Sequence, residues 1–338
     1  MRSFVTGASG FIGYHLVRQL RAAGDEVRCL LRSGSNIEFI KFSDVEFIYG
    51  DLSDISALEK AVQGCDVVYH LAGRVRAINR KDFLKVNCDG TQNLLNAVSK
   101  LTTPPIFIYV SSIAAAGPSN LQQPKVESDI SLPISDYGVS KLEAERQIAF
   151  FCNRLPCSIV RPPIVFGEAD KMNLALFKTV KRLGICPVPG WQIKMYSWIH
   201  ATDLSKLLLA VARNGERVEM NVAGENKPSG IGMYYAAAGD GIKLSEVGKM
   251  IGRSMGRRNT RTVHCPPLTV LCVSTFYELK KLLTGKNVPY DWSKAFESRN
   301  NWCCSAEKAE CQLNFKIDKS IEERIQETTQ WYKQNNWL

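Results

Sequence analysis

A doubly wound α/β fold, one parallel sheet between two layers of helices, is predicted by two features of this chain. Short apolar strands alternate with amphipathic helices through its first half, and a Gly-rich turn sits at the first strand-to-helix junction. The turn is Thr6-Gly7-Ala8-Ser9-Gly10-Phe11-Ile12-Gly13, between the apolar pair Phe4-Val5 and a helical stretch over 14–23. Three glycines at three-residue spacing let the backbone approach a ligand closely and turn amide N–H groups toward a pyrophosphate. A second strand over 26–31 follows Gly24, so the opening is a βαβ unit and the turn reads as a Rossmann-type dinucleotide site, with Gly7, Ser9, Gly10, Phe11, Ile12 and Gly13 against the cofactor.

The alternation predicts strands at 3–6, 26–31, 45–49, 66–71, 106–111 and 157–161, separated by helices near 10–23, 54–63, 82–101 and 137–153. In such a sheet ligands lie beyond the carboxyl ends of the strands, so the residues just after each strand are the candidates. After the second strand stands Arg32, with no acid beside it at Leu31. An acid there would accept from the adenosine ribose, whereas an arginine meets a 2′-phosphate, so NADP(H) is expected in preference to NAD(H). After the third strand, Gly50-Asp51-Leu52 brings a carboxylate where an adenine amine can donate to it; Ser53 or Asp54 serves equally well to cap the next helix. After the fourth, His70 reads as a core histidine, and Leu71-Ala72-Gly73 offers small residues against which a ribose and nicotinamide can lie.

The fifth strand runs into Ser111-Ser112, and a helix opens at Tyr137-Gly138-Val139-Ser140-Lys141. Residues four apart share a helical face, so the Tyr137 phenol and Lys141 ammonium are expected to point the same way. The lysine charge would lower the phenol pKa from about 10, making Tyr137 a workable acid–base near neutral pH.

Composition bounds the remaining choices. The chain has 338 residues, 45% hydrophobic and 22% charged, which suits one large domain or a large and a small one. Eleven cysteines have no metal-ligand spacing and sit mostly in apolar runs, so buried reduced thiols and no metal site are expected. With the βαβ unit starting at once, no signal segment is expected and the cytoplasm is the predicted compartment. The formal charge of +10 comes from scattered lysines and arginines without a nucleic-acid motif, which reads as a solvated basic surface and not as a nucleic-acid site.

These pieces together resemble the extended short-chain dehydrogenase/reductase family of sugar-nucleotide epimerases, dihydroflavonol reductases and 3β-hydroxysteroid dehydrogenases. The resemblance runs through the glycine turn, Gly50-Asp51-Leu52, residues 70–73, Val86-Asn87 with Gly90-Thr91, residues 109–113, Tyr137 to Lys141, residues 161–167, and Trp198-Ile199-His200 with Asp203-Leu204. It implies Ser112, Tyr137 and Lys141 as the catalytic set, because Gly117 fixes the register of the serine pair. It places Ser111 against the cofactor and Asn87, Pro162 and Val165 beside the nicotinamide. His200 and Asp203 become framework residues that tie down a loop, and a homodimer is the family's common state.

Beyond Phe166 the alternation stops, and the resemblance implies a smaller substrate-binding lobe. The expected division is a dinucleotide domain over 1–168, rejoined by 197–228, and a lobe from 169–196 and 229–338. Residues 221–230 read as a loop, 231–238 as a strand, and 244–255, 305–313 and 320–337 as helices. The apolar stretch 266–283 carries too many polar residues to span a membrane. Packing on the core or on a second subunit is the expected fate of such a helix, with peripheral contact to an anionic membrane as the alternative suggested by the nearby arginines and lysines.

The family resemblance leaves the reaction open. Ile113-Ala114 follow Ser112 where dehydratases of the family carry acids, and Tyr196 stands where nucleotide-sugar enzymes carry an arginine for the diphosphate, although Lys194 is near. The expected function is therefore hydride transfer between a ketone and a secondary alcohol on a mainly apolar small molecule. Nucleotide-sugar epimerisation and a non-catalytic cofactor-binding scaffold are the alternatives. Arg74 and Arg76, after the fourth strand, read as solvated surface with the option of meeting an anionic group on the substrate.

Overall fold

A computed structural model describes residues 1–42, 44–121, 123–219, 229–285, 288 and 292–338. The first six strands are β1 (Arg2–Thr6), β2 (Glu26–Leu31), β3 (Val45–Tyr49), β4 (Val67–His70), β5 (Ile106–Val110) and β6 (Cys157–Arg161). They lie in one parallel sheet in the order β6-β5-β4-β1-β2-β3, so the order reverses between β1 and β4. That reversal opens a crevice at the carboxyl edge, where all the strand-end candidates gather.

Successive residues of each strand point to opposite faces, and the sheet is buried on both. Val5, Tyr69, Ile108, Val110 and Val160 pack on one side with Leu16, Val17 and Leu20 of the helix Phe11–Ala22 and with Leu204, Leu207 and Leu208 of the helix Ala201–Asn214. Phe4, Val68, Phe107, Tyr109 and Ile159 pack on the other with Leu58, Leu94 and Ile148, from three further helices. The near-continuous apolar strands are what burial on both faces requires.

The expected domain boundary at 229 needs correction. Met233–Tyr235 pairs parallel with β6 as a seventh strand of the main sheet, so residues assigned to the small lobe complete the large one. The run Tyr234-Tyr235-Ala236-Ala237 is buried, because the otherwise open edge of β6 offers it a ladder. Most of the expected loop at 221–230 lies outside the described residues. The C-terminal helix Ile321–Gln334 also joins the two parts, since Arg324 forms a buried two-pronged ion pair with Asp203 of the helix Ala201–Asn214, at 2.9 and 2.5 Å. Asp203 thus anchors this helix and not a loop.

A third apolar cluster joins the smaller lobe to the larger one, with Phe166, Trp198 and Tyr235 meeting Phe177, Val180, Tyr196, Val247, Ile251, Trp302 and Tyr332. Its framework is the helix Leu174–Leu183, the parallel pair Ile185–Pro189 and Arg261–Cys265, and the helix Leu244–Ser254. The eleven thiols are free, and six are buried; Cys272 and Cys311 are exposed, contrary to the expectation of burial for the apolar run around Cys272.

Two buried histidines make the fold sensitive to acid. Burial pushes His15 down to about 4 and His70 to about 3. The unfolded chain takes up these protons near pH 6.5 and the folded chain resists them, so stability is fully present above about 6.5 and is lost as the pH falls toward the folded values. Each histidine contributes on the order of 3–5 kcal/mol at the acid limit. The thermal midpoint should therefore fall steeply between pH 6.5 and pH 4, and a His70→Asn protein should show a shallower slope; equal slopes would remove His70 from this account.

Candidate active site

The glycine turn is built around close backbone contacts. Gly7 has φ +75°, and a Cβ there would lie 2.7 Å from the Ala72 amide nitrogen; on Gly13 it would lie 2.2 Å from the Gly7 carbonyl oxygen. Neither clash can be relieved by a side-chain movement. The turn delivers the chain to Gly10, which caps the helix Phe11–Ala22 without a side-chain hydrogen bond and with no acid in the first turn. Ser9 and Gly10 are exposed, the positive helix end fits a pyrophosphate, and a side chain on Gly10 would obstruct that approach.

A continuous polar chain holds the neighbouring strand ends. The Ala72 amide donates to Thr6 Oγ1 at 3.2 Å, Thr6 Oγ1 lies 2.6 Å from His70 Nδ1, and His70 Nε2 lies 2.9 Å from Thr91 Oγ1, which donates to the Asn87 carbonyl. A neutral ring protonated at Nε2 satisfies every link. His70 is a core histidine, as expected. Asn87 lies in a π-helical turn, Lys85–Asp89. Its side chain receives the Arg74 amide at 2.6 Å and donates to the Arg74 carbonyl and to Ser140 Oγ, fixing Leu71-Ala72-Gly73 against the helix Asp136–Phe151. A Cβ on Gly73 would sit 3.2 Å from Asn87 Oδ1 and 3.8 Å from Lys141 Nζ.

At the far end of the crevice, Arg32 is exposed just after β2. Asp51 accepts from the Ser53 amide and hydroxyl at 2.7 and 2.6 Å, which hold its carboxyl below the usual range, and the Arg32 guanidinium adds to the effect. Asp54 caps the helix Ile55–Val62, leaving Asp51 and the adjoining half-buried Leu52 at the crevice edge.

The helix Asp136–Phe151 carries Tyr137 and Lys141 on one face, capped by Ser135. The Ser112 hydroxyl accepts from the Ala114 amide at 3.1 Å. The expected effect of Lys141 on Tyr137 is not found. Lys141 Nζ instead donates to the Val110 carbonyl at 2.7 Å and lies 4.2 Å from the centre of the Tyr109 ring. Helical spacing directs the stem, but a buried ammonium takes the strongest acceptor within its reach. Burial accordingly pushes the Tyr137 phenol up to about 12, with Ser112 pulling the other way and Glu297 adding to the rise. Burial also lowers Lys141 to about 7, against the opposing field of Glu145.

Glu145 and the role of Arg161 were not anticipated from sequence, although an acid four residues after Lys141 is a readable signal. Both are buried; Arg161 donates to Glu145 at 2.9 and 2.5 Å and also to Ser131 and Tyr235. Ser111, expected against the cofactor, donates to Glu145 at 2.5 Å beneath the site. Pro162 is buried and accepts the Ile113 amide, while Val165 is half-buried in the strand Ile164–Phe166. His200 caps the helix Ala201–Asn214 and lies 3.2 Å from Glu168, a framework role.

The mouth over Tyr137 is formed by segments far apart in sequence. Val75, Ala77, Ile78, Phe83 and Val288 form its apolar part, and Arg76, Asn79, Asp136, Lys281, Ser293 and Lys294 stand among them. Tyr196 is buried and donates to the Ser298 carbonyl at 3.3 Å, and Lys194 is buried with Nζ 2.5 Å from the Arg299 carbonyl. Neither presents a free cation to a diphosphate. Replacing Glu145 by Gln removes the charge opposite Arg161, and should destabilise the protein by about 3–5 kcal/mol in urea unfolding; a loss below 1 kcal/mol would show that Ser131 and Tyr235 hold Arg161 without it.

Comparison with known proteins agrees with this architecture. Ceramide reductase of Caulobacter vibrioides is 28% identical over 335 residues, 99% of this chain and 95% of that protein. UDP-glucose 4-epimerase of Vibrio cholerae is 31% identical over 195 residues, 55% of this chain and 58% of its own. The solved structure of UDP-glucose 4-epimerase with UDP-glucose from Thermotoga maritima has a TM-score of 0.78 at 20% identity, covering 99% of this chain and 100% of the other, and so shares the fold. Residues 3–223 match the NAD dependent epimerase/dehydratase family, and the chain belongs to that family as a nicotinamide-dependent enzyme of the extended short-chain dehydrogenase/reductase type.

Proposed function

We propose that this enzyme interconverts a ketone and a secondary alcohol on a mainly apolar, non-nucleotide molecule, with NADP(H) preferred over NAD(H). The observation that carries the reading is the mouth at Tyr137, where Val75, Ala77, Ile78, Phe83 and Val288 offer a substrate apolar contacts among charged and polar neighbours. The buried, committed side chains of Tyr196 and Lys194 support it, as does full-length similarity to a relative whose name denotes a mainly apolar substrate. When bound, the nicotinamide supplies or accepts the hydride. The glycine turn, Asp51, residues 71–73 and Asn87 would hold the cofactor, and Arg32 would meet a 2′-phosphate.

The remaining chemistry belongs to the chain. Ser112 orients the substrate oxygen, and Tyr137 exchanges a proton with it. With its pKa near 12, the Tyr137 phenol holds its proton at neutral pH and is ready to give it to a developing alkoxide, which favours the reductive direction. Lys141 lies deeper, where its ammonium and the Val110 carbonyl support the same pocket.

Nucleotide-sugar epimerisation is the second reading, favoured by the Vibrio cholerae relative. Following NADPH absorbance against apolar ketones and UDP-sugars separates the two. Ketone-dependent oxidation of NADPH is expected; conversion of a UDP-sugar without net NADPH consumption would establish the epimerase instead. Tyr137→Phe should abolish turnover while leaving cofactor affinity nearly intact, and retained turnover would exclude Tyr137 as the proton donor. Arg32→Ala should weaken NADPH binding by roughly 1–3 kcal/mol, about five- to a hundred-and-fiftyfold, with NADH little affected. Equal affinity of the unmutated protein for NADH and NADPH would refute the cofactor preference.

A further inference from the structure

The helix Pro267–Thr284 is turned inside out. At about 100° of turn per residue, Leu268, Leu271, Phe276, Leu279, Leu282 and Leu283 fall on a single face of the helix, and each is more than half exposed. Leu282 and Leu283 reach 73% and 85%. The opposite face, Ser274, Glu278 and Lys281, is the one turned toward the protein: Ser274 is fully buried, and the paired side chains of Glu278 and Lys281 are 17% and 11% exposed. The expected packing on the core is therefore not what the structure shows. An ordinary surface helix buries its leucines and exposes its charges, so a stripe of this kind marks a face that another apolar phase covers.

Charge and position identify that phase. Between residues 251 and 294 the chain has eight lysines and arginines and two acids, so this stretch carries +6 of the formal +10. Arg258, Arg261 and Lys280 are exposed within it. Two copies meeting through this face would bring like charges together, whereas an anionic lipid surface satisfies both the leucines and the cations. The exposed Trp292, whose indole donates to Thr275 of this helix at 3.2 Å, suits the boundary between headgroups and acyl chains. No helix among the described residues is long and apolar enough to cross a membrane, so the helix lies on the surface. Lys281, Ser293 and Lys294 border the mouth over Tyr137, which puts the lipid-facing helix at the substrate entrance.

We infer that the helix Pro267–Thr284 seats the enzyme on an anionic bilayer, so that an apolar substrate passes from lipid into the mouth over Tyr137. The inference rests on the proposed apolar substrate, but its test is independent of turnover. The full chain is floated with vesicles of phosphatidylglycerol and phosphatidylcholine and with phosphatidylcholine alone, beside L279E/L283E and K280E proteins, and light scattering records each protein's mass. Flotation with the anionic vesicles is expected, with partitioning at least tenfold lower for L279E/L283E, and lower for K280E or in high salt. A wild-type protein that stays in the soluble fraction, or a double variant that floats as well as wild type, overturns the proposal. So does a wild-type dimer that L279E/L283E converts to monomer without changing flotation, which would make the stripe a self-interface. Reduction of a water-soluble ketone, measured without vesicles, should be unchanged in L279E/L283E; if wild type floats but reduces no ketone, the docking stands and the proposed reaction falls.

Discussion

The close approach of the backbone at the ends of β1 and β4 is the constraint on which the site depends. Gly7 can lie against Leu71 and Ala72 only because it lacks a Cβ and adopts a positive φ. From that contact a chain of polar groups runs through Thr6, His70 and Thr91 to Asn87, then through Ser140 to the Tyr137 carbonyl, which accepts from Ser140 at 2.7 Å. Every member is satisfied by another, so the glycine turn and the helix Asp136–Phe151 are held to one another by buried bonds. A shift at either end breaks a buried hydrogen bond, which makes the geometry stiff where hydride transfer requires it.

Beneath this chain lies a buried ionic layer of Lys141, Glu145 and Arg161. Glu145 receives two bonds from Arg161 and one from Ser111, and faces Lys141 one helical turn earlier. A carboxylate so placed offsets part of the cost of burying two cations, and Lys141 nevertheless falls to about 7. The lysine meets the Val110 carbonyl in place of the phenol, and the phenol is tuned by burial and Ser112.

In the smaller lobe, Tyr196 and Lys194 both bind carbonyls in the segment that leads to Trp302. Trp302 in turn receives the Ser197 amide and gives its own to Met195, fastening that segment to the lobe's core. The inside-out helix borders the mouth through Lys281 and turns its leucines to the molecular surface.

The sequence by itself determined the parallel sheet, the glycine turn and the strand-end residues, because each is local. The six predicted strands match within a residue or so, since a strand buried on both faces is a short apolar run with turn residues at its ends. The pairing of Tyr137 with Lys141 on one helical face was legible for the same reason. What the Lys141 ammonium and the Ser111 hydroxyl then bond was not, because it depends on carbonyls and carboxylates brought close by strands and helices remote in sequence. Nor could the boundary of the larger lobe be read, since Met233–Tyr235 is placed by an open edge on β6 and not by its own pattern. The helix Pro267–Thr284 makes the same point. Periodicity announces an apolar face, but only the tertiary structure decides whether that face turns inward, and here the polar face takes the interior.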